Sequence, residues 1–258
     1  MNKQEKRAQK LAAALARDSG HKLDTVNCAC LIHGDVYDWT YVERLYNMLC
    51  RNLTAEVKLH VYTEPTRTVP APMIRHDLVD WGISGPKRSW WYKLQLFNSM
   101  YHAGPLLYFD LDTVIIDNID WIVDLPLRYF WTLRDFKYLW RPSHQGINSS
   151  IMWWDTRNYD YIWKNFRDKN LPQLMKQHQG DQDYLTREID ANKVRFLHNN
   201  KVASWRWQCL HGGYDFTQRI YRTPQTGVTV PADTDVLIFH GKPKPAEITE
   251  ALIINHWR

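Results

Sequence analysis

The sequence predicts a single α/β domain with a mostly parallel central sheet flanked by helices. Three observations support this fold class. Apolar strand-like runs alternate with amphipathic helical runs from Thr25 onward, an order typical of an open, mostly parallel sheet. The 258 residues are enough to bury the core of one large α/β domain. No internal repeat and no low-complexity linker divides the chain.

The predicted elements begin at Thr25 and alternate along the chain. The runs VNCACLI and EVKLHVYT favour strands, and TYVERLYNMLCRNL between them has the apolar spacing of an amphipathic helix. The other predicted strands are a short one at residues 73–78, then PLLYFDLD, RYFWTLRDF, SSIMWWD, VRFLH and DVLIFHG. The other predicted helices are WWYKLQLFNSMYH, YDYIWKNFRD and DQDYLTREID. In this order, VRFLH and DVLIFHG complete the sheet.

Residues 1–24 are predicted as a basic N-terminal helix or tail, and residues 25–258 as the domain. One face of the helix would carry Ala8, Leu11, Ala12 and Leu15. The segment is cationic, which would allow peripheral contact with an anionic membrane surface.

The composition of the chain indicates which cellular compartment and which partners to expect. The net charge of +5 is spread along the chain without a long basic run, so we expect no nucleic-acid partner. The four cysteines have no C-x-x-C spacing, which favours free thiols in a reducing compartment. No apolar run is long enough to span a bilayer, and no signal-peptide core is present, so the sequence predicts a cytoplasmic protein.

The most informative motif is YFDLD, an apolar run that ends in Asp110, Leu111 and Asp112. In an extended strand the two carboxylates would project to one side and Leu111 to the other. Two adjacent carboxylates repel each other unless a cation lies between them, so the pattern predicts a divalent metal site. Two solvated carboxylates at a strand end are the alternative.

A second acidic segment, GDQDYL, precedes a predicted helix and contains Asp181, Gln182 and Asp183. Capping of the helix by aspartate explains one of the carboxylates. Near the C-terminus, FHGKPKP supplies the His240 imidazole for a metal and two lysines for phosphate.

Together with GINSSIMWWD, these motifs resemble, in order and spacing, the nucleotide-sugar glycosyltransferases with a Rossmann-like GT-A fold. The resemblance is closest to the family-eight group, which includes glycogenin-like and bacterial galactosyltransferase-like enzymes, and it covers most of the chain from Thr25. Two positions depart from the family pattern. Ser150 stands where glycine is usual, and His240 directly precedes Gly241 instead of lying three residues ahead.

The resemblance implies a role for each matching residue. Mn²⁺ or Mg²⁺ would be held by Asp110, Asp112 and His240, and Asp181 and Gln182 would lie beside the anomeric carbon as the catalytic residues. The nucleotide-sugar would contact a larger set, namely Tyr37, Lys93, Asp110, Leu111, Asp112, Asn148, Ser149, Asp183, Gly241, Lys242 and Lys244. An exposed lysine on an amphipathic helix remains the alternative for Lys93, and a surface aromatic in a turn remains the alternative for Tyr37.

The function predicted on this basis is metal-dependent transfer of a hexose from a nucleotide-diphosphate sugar, with retention of configuration. The acceptor, a glycan, a lipid or a protein, stays unidentified. Two other functions remain open. DLDTVI also fits a haloacid-dehalogenase-like phosphatase with Asp110 as nucleophile, although that motif normally follows the first strand. The 13 tryptophans would also suit a sugar-binding protein without turnover.

Overall fold

A computed structural model describes residues 23–83, 89–169, 171–210, 214–215, 220–221 and 227–258. Most of the predicted segment 1–24 lies outside the described residues, so its helix and its membrane contact stay predictions. Among the helices of the described residues, none is both long enough and apolar enough to cross a membrane.

The chain alternates strands and helices, as the sequence predicts. The strands are β1 (Thr25–Leu31), β2 (Glu56–Thr63), β3 (Ile74–Asp77), β4 (Pro105–Phe109), β5 (Thr113–Ile115), β6 (Phe130–Arg134), β7 (Ile147–Asp155), β8 (Val194–Phe196), β9 (Val202–Ser204), β10 (Tyr214–Asp215), β11 (Ile220–Tyr221) and β12 (Val236–Ile238). The α-helices are α1 (Trp39–Asn52), α2 (Asp120–Val123), α3 (Thr156–Arg167), α4 (Leu171–Gln177), α5 (Asp181–Glu188) and α6 (Ala251–His256). Single-turn and irregular helices cover Ser89–Phe97, Phe136–Leu139, Trp205–Cys209 and Pro245–Glu247.

The main sheet has the strand order β3-β2-β1-β4-β7-β6-β8. β7 is antiparallel to both of its neighbours, whereas the other neighbouring pairs are parallel. A smaller sheet has the order β5-β12-β9. The predicted α/β fold with a mostly parallel central sheet is therefore confirmed.

Helices cover both faces of the main sheet, and the strands are buried accordingly. All nine residues of β7 are buried, as expected for a central strand packed on both sides. In β4, Leu107 and Phe109 pack into the core cluster that contains α1, whereas Leu106 and Tyr108 pack into the one that contains α3. The alternation of side chains along β4 thus supplies two cores.

Aspartates fix where two of these helices begin. The Asp38 side chain accepts from Thr40 N at 3.0 Å in front of α1, and Asp155 accepts from Arg157 N at 3.0 Å in front of α3. A side-chain oxygen that satisfies a free N–H of the first turn stabilises a helix start by about 1 kcal/mol.

Three predictions about the elements are wrong in detail. The helix predicted for WWYKLQLFNSMYH is a 3₁₀ helix that ends at Phe97. DVLIFHG forms β12 of the smaller sheet and does not complete the main one. The strand PLLYFDLD ends at Phe109, and Leu111 and Asp112 form a turn before β5. Each difference arises because pairing with distant segments, which the local pattern does not contain, decides where an element ends.

Candidate active site

The carboxyl ends of the parallel strands meet at one edge of the main sheet. β4 ends there at Phe109, and Asp110 is the next residue. Because β7 runs antiparallel to β4, it begins at this same edge. The Asp110 backbone N–H donates to the Ser150 carbonyl at 2.8 Å. Open α/β sheets bind their ligands at an edge of this kind.

Asp110 belongs to a group of side chains that we call the Asp110 cluster: Lys93, Tyr108, Asp110, Ser149 and Asp181. The Lys93 ammonium lies 2.7 Å from Asp110 Oδ1 and donates to Ser149 Oγ at 3.1 Å. Ser149 in turn donates to Asp181 Oδ2 at 2.5 Å. Tyr108 donates to Asp110 Oδ1 at 2.7 Å. One lysine thus connects carboxylates from two distant parts of the chain.

The Asp110 cluster holds charged groups away from water. The Lys93 side chain is only 9% exposed. Burial alone would lower the pKa of Lys93, but the Asp110 and Asp181 carboxylates raise it above its usual value. Burial also raises the pKa of Asp181, while Lys93 and Ser149 oppose the shift. Lys93 therefore carries its positive charge at neutral pH, and it lies 3.9 Å from Asp181 Oδ2.

Asp112 has different partners, which form the Asp112 cluster of Tyr37, Asp112 and Lys244. The Tyr37 hydroxyl donates to Asp112 Oδ2 at 2.8 Å, and the Lys244 ammonium contacts the same oxygen in a short ion pair. Lys244 also donates to the Phe239 carbonyl at 3.3 Å. Burial raises the pKa of Asp112, and Lys244 opposes the shift. The sequence-distant FHGKPKP segment is thus joined to the D-x-D motif.

The two aspartates of the motif do not share one face of a strand, contrary to the prediction. Asp112 lies in the turn between β4 and β5, and the Leu111 side chain is buried in the core. The turn separates the environments of the two carboxylates, which is why a lysine from a different segment pairs with each of them.

The predicted metal site depends on which metal-binding side chains the fold brings together. Within the described parts of the chain, no three His, Cys, Asp or Glu side chains form a group that could hold a metal ion, so the predicted set of Asp110, Asp112 and His240 is not brought together. The partners of Asp110 both contact Oδ1, and those of Asp112 both contact Oδ2. Each carboxylate therefore retains a second oxygen, and hard oxygen donors suit Mn²⁺ or Mg²⁺. The donor chemistry fits such an ion at this pair, and the ion itself stays a prediction.

His240, the third predicted metal ligand, is half-buried near the same edge. Its Nε2 lies 2.8 Å from Ser204 Oγ, and its ring packs against Phe136 and Trp207. Burial, with Arg206 nearby, lowers the pKa of His240 to about 3, so its imidazole is neutral, the form that binds metals. The hydrogen bond with Ser204 leaves Nδ1 as the other nitrogen for a ligand.

A cavity of about 460 Å³ opens beside Asp181. Its wall includes the whole acidic segment of Asp181, Gln182 and Asp183, at the start of α5. Asp183 is engaged locally, since its Oδ2 accepts from Gln179 N at 3.3 Å. Gln182 is half-buried and lines the cavity. The remaining lining residues are Trp90, Asp135, Lys137, His144, Gln145, Gly146, Ile147, Gln179, Gly180 and Thr186.

Asp135 and His144 also line this cavity, and neither is among the predicted site residues. Asp135 directly follows β6, just as Asp110 directly follows β4. Its Oδ2 lies 2.9 Å from Lys137 Nζ and 3.0 Å from His144 Nε2. An acidic residue at the end of a predicted strand was the signal that would have found Asp135. No comparable pattern marks His144, which reaches the site through a loop.

Some predicted residues lie at the edge without joining either cluster. The Asn148 side chain accepts from Ser150 N at 3.0 Å and is buried. Gly241 has a positive φ of 79°, and a Cβ there would lie 3.0 Å from Arg206 Nη1. Lys242 is 82% exposed and pairs with Glu247 at 3.0 Å.

The described residues have the GT-A fold, which solved glycosyltransferase structures share. The structure is similar to that of an active-site mutant of LgtC, with a TM-score of 0.57 and 12% identity over 85% of this chain and 89% of that chain. It is also similar to the glycosyltransferase GlyE of Streptococcus pneumoniae TIGR4, with a TM-score of 0.60 and 15% identity over 90% of this chain and 59% of GlyE.

A third similar structure is that of WbbM, a bifunctional glycosyltransferase, with a TM-score of 0.57 and 13% identity over 86% of this chain and 47% of WbbM. No family model matches the chain, and no curated protein matches its sequence. At these identities the likeness defines the fold, and it confirms the GT-A architecture that the motifs predict.

Proposed function

We propose that this chain is a metal-dependent glycosyltransferase that moves a hexose from a nucleotide-diphosphate sugar to an acceptor, with retention of configuration. One observation carries the proposal: the Asp110 and Asp112 clusters meet at the ligand-binding edge, where the Asp110 charge helps to raise the pKa of Asp112, and Asp181 of the first cluster lines the cavity. The likeness to LgtC, whose structure was also solved with donor and acceptor sugar analogues, supports it.

The diphosphate is assigned to the side of Asp112. Mn²⁺ or Mg²⁺ would be held by Asp110 and Asp112, and would supply positive charge to the departing diphosphate. Lys244 adds a mobile cation at the same place, because a phosphate can replace Asp112 as its partner. The centre of the Tyr37 ring lies 5.3 Å from the Lys244 ammonium. A nucleobase stacked on the Tyr37 ring would therefore place the diphosphate next to Lys244.

The transferred sugar is assigned to the side of Asp110. Asp110 is the most exposed charged group of this cluster and would accept from sugar hydroxyls, whereas the predicted sugar contact of Ser149 is blocked because Ser149 is fully buried between Lys93 and Asp181. The anomeric carbon would face Asp181 and Gln182, at the border of the cavity. The acceptor oxygen would form a bond to the anomeric carbon as the bond between that carbon and the diphosphate oxygen breaks. The electron pair leaves with the diphosphate, which also takes the proton of the acceptor hydroxyl.

The test is release of nucleotide from a panel of nucleotide-sugars, with Mn²⁺ and with a chelator. We expect release from at least one donor in Mn²⁺ and none with the chelator. Hydrolysis of p-nitrophenyl phosphate instead would favour the phosphatase, although the GT-A fold does not support that alternative. Binding of a nucleotide-sugar without release would favour the sugar-binding protein.

A further inference from the structure

One wall of the cavity is an exposed tryptophan. Trp90 lines the cavity and is 38% exposed, whereas its neighbour Trp91 is 2% exposed and packs in the core. The backbone at Gly180 approaches the indole so closely that a Cβ there would lie 3.0 Å from Nε1 and 3.4 Å from Cε2. The core therefore uses Trp91, and Trp90 offers a flat apolar surface to the cavity.

The rest of the described wall is polar, and its carboxylates face cationic side chains, including Asp181, which lies 3.9 Å from Lys93 Nζ. The Asp135 carboxylate is paired with Lys137 and His144, and Asp183 lies 3.5 Å from both His178 Nδ1 and Arg187 Nε. Neutral hydrogen-bonding groups complete the wall, namely the side chains of Gln145, Gln179, Gln182 and Thr186. A charged ligand would have to displace these pairs, whereas a neutral ligand with many hydroxyls would not.

We propose that the cavity binds a neutral hexopyranoside, and that this sugar is the acceptor. One C–H face of its ring packs on the Trp90 indole, and its hydroxyls bond to Asp135 and Gln182. Aromatic faces are suited to such apolar surfaces, and the cavity volume lies within the range of about 300–1,000 Å³ that is typical of small-molecule sites. This assignment rests on the proposed function, because it takes Gln182 to mark the anomeric centre.

The lining argues against the other acceptor classes. An acyl chain would require a continuous apolar channel, but among the described residues that line the cavity only Trp90 and Ile147 are large and apolar, and Ile147 is 2% exposed. A serine or threonine of a peptide would use a hydroxyl but would leave the indole face without a ring to cover it. A pyranoside would offer a ring face to the Trp90 indole and hydroxyls to the polar groups of the cavity.

The experiment uses the full chain and the methyl β-glycosides of glucose, galactose and N-acetylglucosamine as probes. Saturation-transfer NMR reports their contact with the protein, and transfer assays give KM and kcat. Trp90→Ala should abolish the saturation signal and raise the glycoside KM about fivefold to tenfold, the ratio expected from one lost ring contact. Trp90→Phe should recover most of the affinity, and it also keeps the test valid if the alanine variant folds poorly.

Tyr161→Ala is the matched control, because Tyr161 is equally exposed at 37% but lies on α3 outside the cavity wall. It should leave the glycoside KM within about twofold of wild type, a shift below 0.5 kcal/mol. An unchanged KM and signal in Trp90→Ala would overturn the proposal, and so would transfer to a serine-containing peptide or to dodecanol but to no glycoside. A wild-type chain that releases no nucleotide from any donor would instead contradict the proposed function, while the NMR signal would still report on Trp90.

Discussion

Asp110 and Asp112 are two residues apart, yet they lie in different physical environments. Asp110 contacts Lys93, which is 9% exposed and which also faces Asp181. Asp112 contacts Lys244, which is 21% exposed and comes from a loop after β12. The first network is built from segments packed on the sheet, and the second from segments that reach the sheet edge as loops.

This difference in environment suits the two clusters to different roles in a ligand site. Breaking a buried ion pair leaves an uncompensated charge, which costs far more than breaking a pair near solvent. The Asp110 cluster is therefore suited to holding a fixed geometry. The Asp112 cluster is suited to exchanging partners when a metal and a phosphate arrive together, because the metal would compensate the Asp112 carboxylate while the partly exposed Lys244 pairs with the phosphate.

The largest effect is expected for Lys93→Met. The substitution leaves Asp110 and Asp181 without their shared cation, and should lower the free energy of unfolding by about 3–5 kcal/mol. Urea denaturation measures it. Lys244→Met, the matched change in the Asp112 cluster, should cost less, because it leaves one carboxylate without its cation instead of two. Equal losses in the two variants would contradict the distinction between the clusters.

The second-largest effect is expected at the metal site that Asp110 and Asp112 would share. Asp110→Asn and Asp112→Asn should each weaken Mn²⁺-dependent binding of a nucleoside diphosphate by at least about a hundredfold, or 2.7 kcal/mol, because each removes a charged metal ligand. Calorimetric titration with Mn²⁺ provides the affinity, and titration with a chelator provides the background. Wild-type affinity in either variant would remove that residue from the metal site.

A smaller effect is expected where the Asp110 cluster meets the cavity. Gln182→Ala should lower turnover by at least about tenfold, or 1.4 kcal/mol of barrier, because the amide would interact most strongly with charge that develops at the anomeric carbon. Nucleotide affinity should stay near wild type. Gln177→Ala, an exposed glutamine at the end of α4, is the control. A loss of affinity without a loss of turnover would make Gln182 a binding residue.

The smallest effect separates the two lysines of FHGKPKP. Lys242→Met should change nucleotide affinity by less than about twofold, because Lys242 is 82% exposed and its pair with Glu247 is at the surface. Lys244→Met should weaken the affinity by about tenfold, as expected for loss of a charge-assisted phosphate contact of about 1.4 kcal/mol. Isothermal titration of both variants with the nucleotide, under the same conditions, measures the two affinities. The reverse order would exchange the roles of the two residues.

Much of this site could be predicted because its residues directly follow elements with strong periodicity. The apolar run of β4 marks Asp110, and the start of α5 marks Asp181 and Gln182. The smaller sheet was not predictable in the same way, since its strands β5, β9 and β12 have three residues each. Three residues are too few to show an alternating pattern.

The cavity was harder to predict than either cluster. Trp90 and Trp91 are identical neighbours in the sequence, and only the packing of the 3₁₀ helix decides which one is buried. Likewise, the turn at Leu111 and Asp112 depends on the pairing of β5 with β12. Contacts between distant segments fix both features, and the local sequence does not specify them.

The direction of α1 has a practical consequence for labelling. α1 connects the parallel strands β1 and β2, so it begins near the ligand-binding edge and ends at the opposite edge of the sheet. Its last turn carries Cys50, which is exposed, whereas the thiols of Cys28, Cys30 and Cys209 are buried. A maleimide dye should therefore attach at Cys50 alone. The unmodified chain thus has a natural attachment point for a fluorophore or a surface tether, remote from the groups that would bind the donor.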